Sequence, residues 1–84
     1  MATTRNIVIS PESFREAERY SAVIEWSDED AVYIARVPEL PGCMADGETR
    51  EEALCEIRIS TALDLEVRKL HGDPIPEPKL FATA

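Results

Sequence analysis

Eighty-four residues, with nine Lys and Arg against seventeen Asp and Glu and a formal charge of −8, leave no room for a second domain and argue against binding to phosphate backbones, which needs basic surface. A chain of this size buries only about 60% of its unfolded surface, so its own core is thin and association with other chains is the expected supplement. Cys43 and Cys55 are too few for a disulfide scaffold, and a metal pair would need more ligands than the single His71 adds. Small buried thiols in a reducing cytoplasm are the plain reading, since no secretory signal or long apolar run precedes them, and no membrane contact is expected.

In chain order, Ile7, Val8 and Ile9 could form an edge strand or stay loose until a partner orders them. Ser10-Pro11-Glu12 combines a cap residue, a proline at the first helical position and an acid in the first turn, which predicts a helix from Pro11 to Glu18 or Arg19 anchored by Phe14 and Ala17. This opening superficially resembles a ribbon-helix-helix DNA-binding module, which needs a second helix directly after the first. Instead, Tyr20, Ala22, Ile24 and Trp26 alternate with Ser21, Val23 and Glu25, a period of two that predicts a strand. Val32 to Val37 is a second, β-branched and aromatic strand, and the polar SDEDA between them suits an antiparallel hairpin. Trp26 is expected to be a packing anchor, because a lone aromatic does not make a stacking platform for bases.

The stretch from Val32 to Ala53 carries the tightest punctuation. Pro38 and Pro41 end the strand and bend the chain, and Gly42 lets the corner close. Cys43, Met44 and Ala45 form a short strand that Gly47 breaks, and Thr49 with Glu52 has the capping-box spacing that opens a helix. That helix runs to about His71, with acids leading it (Glu51, Glu52), bases closing it (Arg68, Lys69) and Gly72 as its stop. At the helical period its apolar residues fall in two stripes: Ala53, Leu54, Ile57, Thr61 and Leu65, then Cys55, Ile59, Ala62, Leu63 and Leu70. A single sheet covers one stripe. Leaving Ile59, Leu63 and Leu70 in water forgoes roughly 1.5–3 kcal/mol each. The N-terminal helix could cover part of the second stripe, but a second copy of the chain is the more economical cover. Ile59, Ala62, Leu63 and Leu70 are therefore the candidate interface of a dimer or higher homo-oligomer. After Gly72, DPIPEP enforces an extended path, and Lys79 to Ala82 could add an edge strand.

No catalytic constellation stands out. One histidine and three glycines offer neither a Ser/His/Asp or Cys/His set nor a phosphate-cradling loop. His71 suits the helix C-terminus, and Asp28, Glu29 and Asp30 lack the alternation of a calcium loop and read as a polar hairpin tip. Between Glu25 and Glu48 there are seven acids and one base, Arg36. A basic protein would be steered toward that edge, and a solubilising face is the equally plain reading.

Tyr33, the run Val37-Pro38-Glu39-Leu40-Pro41-Gly42-Cys43, Gly47-Glu48-Thr49 and Glu51-Glu52-Ala53-Leu54 stand in an order that resembles the HicB-like antitoxins of bacterial toxin–antitoxin systems. The resemblance spans about Tyr20 to Pro78 and includes the closing glycine and Pro-x-Pro run of HGDPIPEP. It implies a partial ribonuclease H fold. The expected class is accordingly α+β, a three- to four-stranded antiparallel sheet with one long helix packed on it and a short N-terminal helix, forming one HicB-like domain over residues 1–84. It also implies a protein-binding role, the masking of a small basic RNA-cleaving toxin, for which Asp28, Glu29, Asp30 and Glu39 are the candidate toxin-facing acids. Likeness to a nuclease fold does not carry nuclease function. Glu25, Glu39 and Asp46 form no converging set, so no catalytic residue, metal or cofactor is assigned. Many family antitoxins continue into an operator-binding segment, and that property is not carried over to a chain ending at Ala84. The alternatives are a stand-alone homo-oligomeric scaffold or sensor without a toxin and, further off, a metal-dependent nuclease.

Overall fold

The computed structural model describes residues 8–79, in the order α1 (Pro11–Ala17), β1 (Val23–Ser27), β2 (Val32–Arg36), β3 (Met44–Gly47) and α2 (Arg50–His71). The three strands form one antiparallel sheet in the order β1-β2-β3, with α2 across one face, so the α+β class holds. Val8 and Ile9 belong to no strand, and residue 7 of the expected N-terminal strand lies outside the described residues, as do residues 80–82 of the expected C-terminal one.

Local chemistry sets the boundaries. The Ser10 hydroxyl accepts from the Ser13 backbone N–H at 3.2 Å and Pro11 occupies the first helical position, as the sequence predicts. α1 ends at Ala17, a residue or two early, and Tyr20 sits in the turn that follows rather than in β1. There its ring packs against both clusters of the core, and its hydroxyl donates to the Pro76 carbonyl. The hairpin pairs Trp26 with Tyr33 and Ser27 with Val32, and Ala31 closes its tip at φ 57°, left-handed backbone for a non-glycine residue.

The two-proline corner is a plug. Leu40 N–H donates to Val37 O at 3.0 Å and Cys43 N–H to Leu40 O at 2.9 Å, two successive turns that push the Leu40 side chain fully into the core. Gly42 supplies the φ of 90° that brings the chain back to pair with β2. Leu40, Val37, Ala35, Cys43, Ala53 and Ile57 form the main cluster between sheet and helix. Burying each of its larger side chains contributes about 1.5–3 kcal/mol.

At 22 residues, α2 is about 33 Å long, roughly twice the span of a five-residue strand. Its first half therefore lies on the sheet and its second half overhangs it. α1 packs on the overhang, where Ala17, Ala62 and Leu65 form a second buried cluster with Ile9 and Phe14 at its margin. This corrects the two-stripe expectation at three residues. Ala62 is fully buried under α1 and has no surface to offer a second copy, whereas Leu54, expected on the covered stripe, is 52% exposed. Cys55, expected to be a buried thiol, is also exposed, and only Cys43 is buried. Ile59 and Leu70 do point outward, and Leu63 is half-buried.

Candidate functional site

The site begins at a close approach. A Cβ on Gly47 would stand 2.5 Å from the Ala53 backbone nitrogen, so only glycine lets the end of β3 run under the first turn of α2. Two residues on, the Thr49 hydroxyl accepts from Glu52 N–H at 3.0 Å while the Glu52 carboxylate accepts from Glu48 N–H at 2.5 Å, a variant of the capping box in which the carboxylate reaches one residue past the cap. These contacts fix α2 beside the outer edge of β3. Glu52, Glu56 and Ser60, one turn apart along the helix, wall a groove whose floor and lip are Met44, Ala45, Asp46, Gly47, Glu48 and Val32. The groove holds about 520 Å³ and is open to solvent. Past Met44 and Ser60 it continues into a shallower trough of about 400 Å³ lined by Gly42, Cys43, Leu63, Asp64 and Val67.

Charge is uneven along this channel. Asp46, Glu48, Glu52 and Glu56 gather at the Gly47 end, and none of them forms an ion pair among the described residues. The far end is apolar, with Met44, Leu63 and Val67. β3 is the outermost strand on this side, and no described residue pairs with its outer edge. The hairpin tip lies at the same end of the sheet as Gly47, so Asp28, Glu29 and Asp30 extend the acidic end. Two of these acids also build the tip: Asp28 accepts from the Trp26 indole N–H at 3.2 Å, and Asp30 from the Ser27 hydroxyl at 3.3 Å. On the helix side Trp26 meets Tyr33 edge-on at 5.0 Å, and the Arg50 guanidinium covers the Tyr33 ring at 5.5 Å.

Glu39 does not belong to this surface. It is 8% exposed at the opposite end of the sheet, where its Oε2 accepts from Ser21 N–H at 3.1 Å, the Ser21 hydroxyl at 3.0 Å and Lys79 N–H at 2.8 Å. Burial alone pushes this carboxyl up, and the donors from Lys79, its own backbone and Ser21 outweigh burial and hold it below the ordinary carboxylate range. Glu39 is thus a clasp between the start of β1, the proline corner and the C-terminal segment, not a partner-facing acid. The sequence reading placed Asp46 and Glu48 in the acidic run but missed Glu52, Glu56 and Ser60. Their spacing of four puts them on one face of α2, but nothing in the sequence places that face beside β3.

Burial raises the Cys43 thiol, which lies 3.7 Å from the Thr61 hydroxyl, so it is not primed as a nucleophile. Among the described residues no group of three or more His, Cys, Asp or Glu side chains converges to hold a metal ion, and no helix is long and apolar enough to cross a membrane.

Fold and groove together define a small α+β domain with one sheet face under a long helix and an acidic, unpaired sheet edge. The chain belongs to the UPF0150 family. It is 40% identical over 58 residues to a UPF0150 protein of Thermoplasma acidophilum, covering 69% of this chain and 83% of that one. A UPF0150 protein of Archaeoglobus fulgidus is 37% identical over 51 residues, covering 61% of this chain and 72% of its own. One from Synechocystis is 43% identical over 44 residues, 52% of this chain and 60% of the relative. No family model matches the chain, and no solved structure matches it.

Proposed function

We propose that this protein is a HicB-like, antitoxin-type binding module that masks a small basic RNA-cleaving protein. The observation that carries the reading is the set of four carboxylates, Asp46, Glu48, Glu52 and Glu56, set around a strand edge that no described residue pairs, with no ion pair to any of them among the described residues. Glu52 also caps α2, but the side chains of Asp46, Glu48 and Glu56 make no hydrogen bond or ion pair among the described residues. A cationic active-site surface matches them, because association is steered by opposite charge and the bound face is then shielded from RNA. The formal charge of −8 acts in the same direction.

The test uses the small basic proteins encoded beside this gene in its host. Co-expression is expected to restore growth to cells carrying such a protein, and the purified pair is expected to form a complex that no longer cleaves RNA. A neighbouring ribonuclease that keeps its full activity under saturating excess of this chain sinks the reading.

A second reading, a stand-alone homo-oligomer acting as scaffold or sensor, draws on one observation: Ile59 and Leu70 remain exposed at 40% and 68% on the outward side of α2. It predicts self-association with no partner present. A monomer in light-scattering measurements at micromolar concentration excludes it.

A further inference from the structure

The ladder direction of β3 gives its outer edge a definite set of donors and acceptors. Val37 N–H donates to Cys43 O at 3.2 Å, and the register continues through Ala35 with Ala45 and Tyr33 with Gly47. In an antiparallel ladder alternate residues aim their backbone groups to the same side, so Cys43, Ala45 and Gly47 face β2. Met44 and Asp46 therefore aim their N–H and C=O outward, into the groove, where no described residue meets them. An unpaired edge of this kind is a template for another strand unless it is covered, bulged or blocked by proline. β3 contains no proline, and the Glu52–Glu56–Ser60 wall leaves a channel beside it rather than a cover over it.

We infer that the outer edge of β3 takes an extended segment of the basic partner as a fourth strand, with lysine or arginine side chains at the Gly47 end and apolar ones at the Met44 end. The inference rests on the masking role above only for who supplies the segment. Side chains on one face of a guest strand meet Glu52 and Glu56, and those on its other face meet Asp46 and Glu48. Further along, both faces reach Met44, Leu63 and Val67. Main-chain pairing supplies affinity in this mode, and the side-chain lining supplies selectivity. A second copy of this chain is a poor guest. Pairing β3 antiparallel with itself lays Asp46 and Glu48 of one copy along the Met44 and Leu63 end of the other, which takes carboxylates out of water with no cation to meet them.

The test titrates the isotope-labelled full chain with a blocked nine-residue peptide, lysine alternating with threonine in one half and valine with threonine in the other, in both sequence orders. A control peptide carries glutamate in place of lysine. Saturable amide shifts are expected at residues 44–47 and at Ser60, with slowed exchange of the Met44 and Asp46 amides, and the glutamate peptide is expected not to bind. Met44→Pro removes one outward donor without touching the β2 ladder and is expected to weaken binding about three- to tenfold, the worth of one hydrogen bond. Glu56→Lys, on the exposed wall and away from any packing contact, is expected to weaken it about tenfold. Shifts confined to the hairpin tip, affinity unchanged in both variants, or Met44 and Asp46 amides already protected in the free chain each overturn the inference. Inhibition of a neighbouring ribonuclease equally by wild type and Met44→Pro removes the strand-pairing mode and leaves the masking role standing. Peptide docking at β3 without inhibition of any such ribonuclease does the reverse.

Discussion

The two sides of α2 use carboxylates in opposite ways. Toward α1, Glu66 accepts from Ser10 N–H at 3.2 Å, the Ser10 hydroxyl at 3.1 Å and the Ser13 hydroxyl at 2.7 Å. On the same side Lys69 meets Glu16 at 2.8 Å and Arg58 meets Glu18 at 2.8 Å. Toward β3, Glu52 and Glu56 stand near Asp46 and Glu48 and none of the four forms an ion pair among the described residues. Like charges left together lower stability slightly, so apart from the capping role of Glu52 this second arrangement is not explained by the fold. The α1 side is a seam that joins elements. The β3 side is a surface.

The comparison breaks most severely at Gly47, which lets the two halves of the groove meet. Gly47→Ala places a methyl 2.5 Å from the Ala53 nitrogen, against the Glu52–Ala53 backbone of α2, and is expected to cost about 3 kcal/mol in denaturant unfolding. A loss below about 0.5 kcal/mol would mean that β3 and the first turn of α2 are not held as described. Next in size is Glu39. Its replacement by Ala removes the carboxylate that joins Ser21 to Lys79 and leaves a gap where a buried side chain stood, at an expected cost of about 1–3 kcal/mol. The pH dependence has a definite sign. Donors hold Glu39 low, and the Ser13 hydroxyl first and the Ser10 backbone second hold Glu66 low. Both contributions are present above the ordinary carboxylate range and fade as pH falls through the depressed values. Glu39→Gln should flatten the acid limb of a stability-versus-pH curve.

Most of the fold was legible because its boundaries are set locally. The Ser10 cap, the Pro38–Gly42 corner, the Thr49–Glu52 box and the Gly72 stop act within a few residues, and α2 runs from Arg50 to His71 as its caps dictate. What escaped was tertiary. Periodicity drew two apolar stripes on α2 but could not show that the helix outreaches the sheet, so that α1 takes Ala62 and leaves Leu54 outside. Acid counting found the charge excess, but Glu39 differs from Asp28, Glu29 and Asp30 only in where the corner turns it. The groove itself joins β3 to a helix face that the sequence holds several residues away, and nothing local links Asp46 to Glu56.

The finest test of the contrast sets one residue from each side of α2 against the other. Ser13 is fully buried in the seam, donating to Glu66 at 2.7 Å and accepting from Lys69 at 3.1 Å, so Ser13→Ala leaves a carboxylate and an ammonium each short of a partner. It is expected to cost about 1 kcal/mol. Glu56→Lys changes the charge by two on an exposed wall and is expected to stay within about 0.5 kcal/mol of wild type, or to stabilise slightly by relieving its acidic neighbours. The ranking reverses for partner binding, which Ser13→Ala should leave unchanged and Glu56→Lys should weaken. Adding salt sharpens the separation, because an exposed acidic surface loses steering as the Debye length shrinks toward about 3 Å at 1 M. A Glu56→Lys chain as destabilised as Ser13→Ala would place that carboxylate in the fold's own bonding, and the β3 side would then be a second seam rather than a surface.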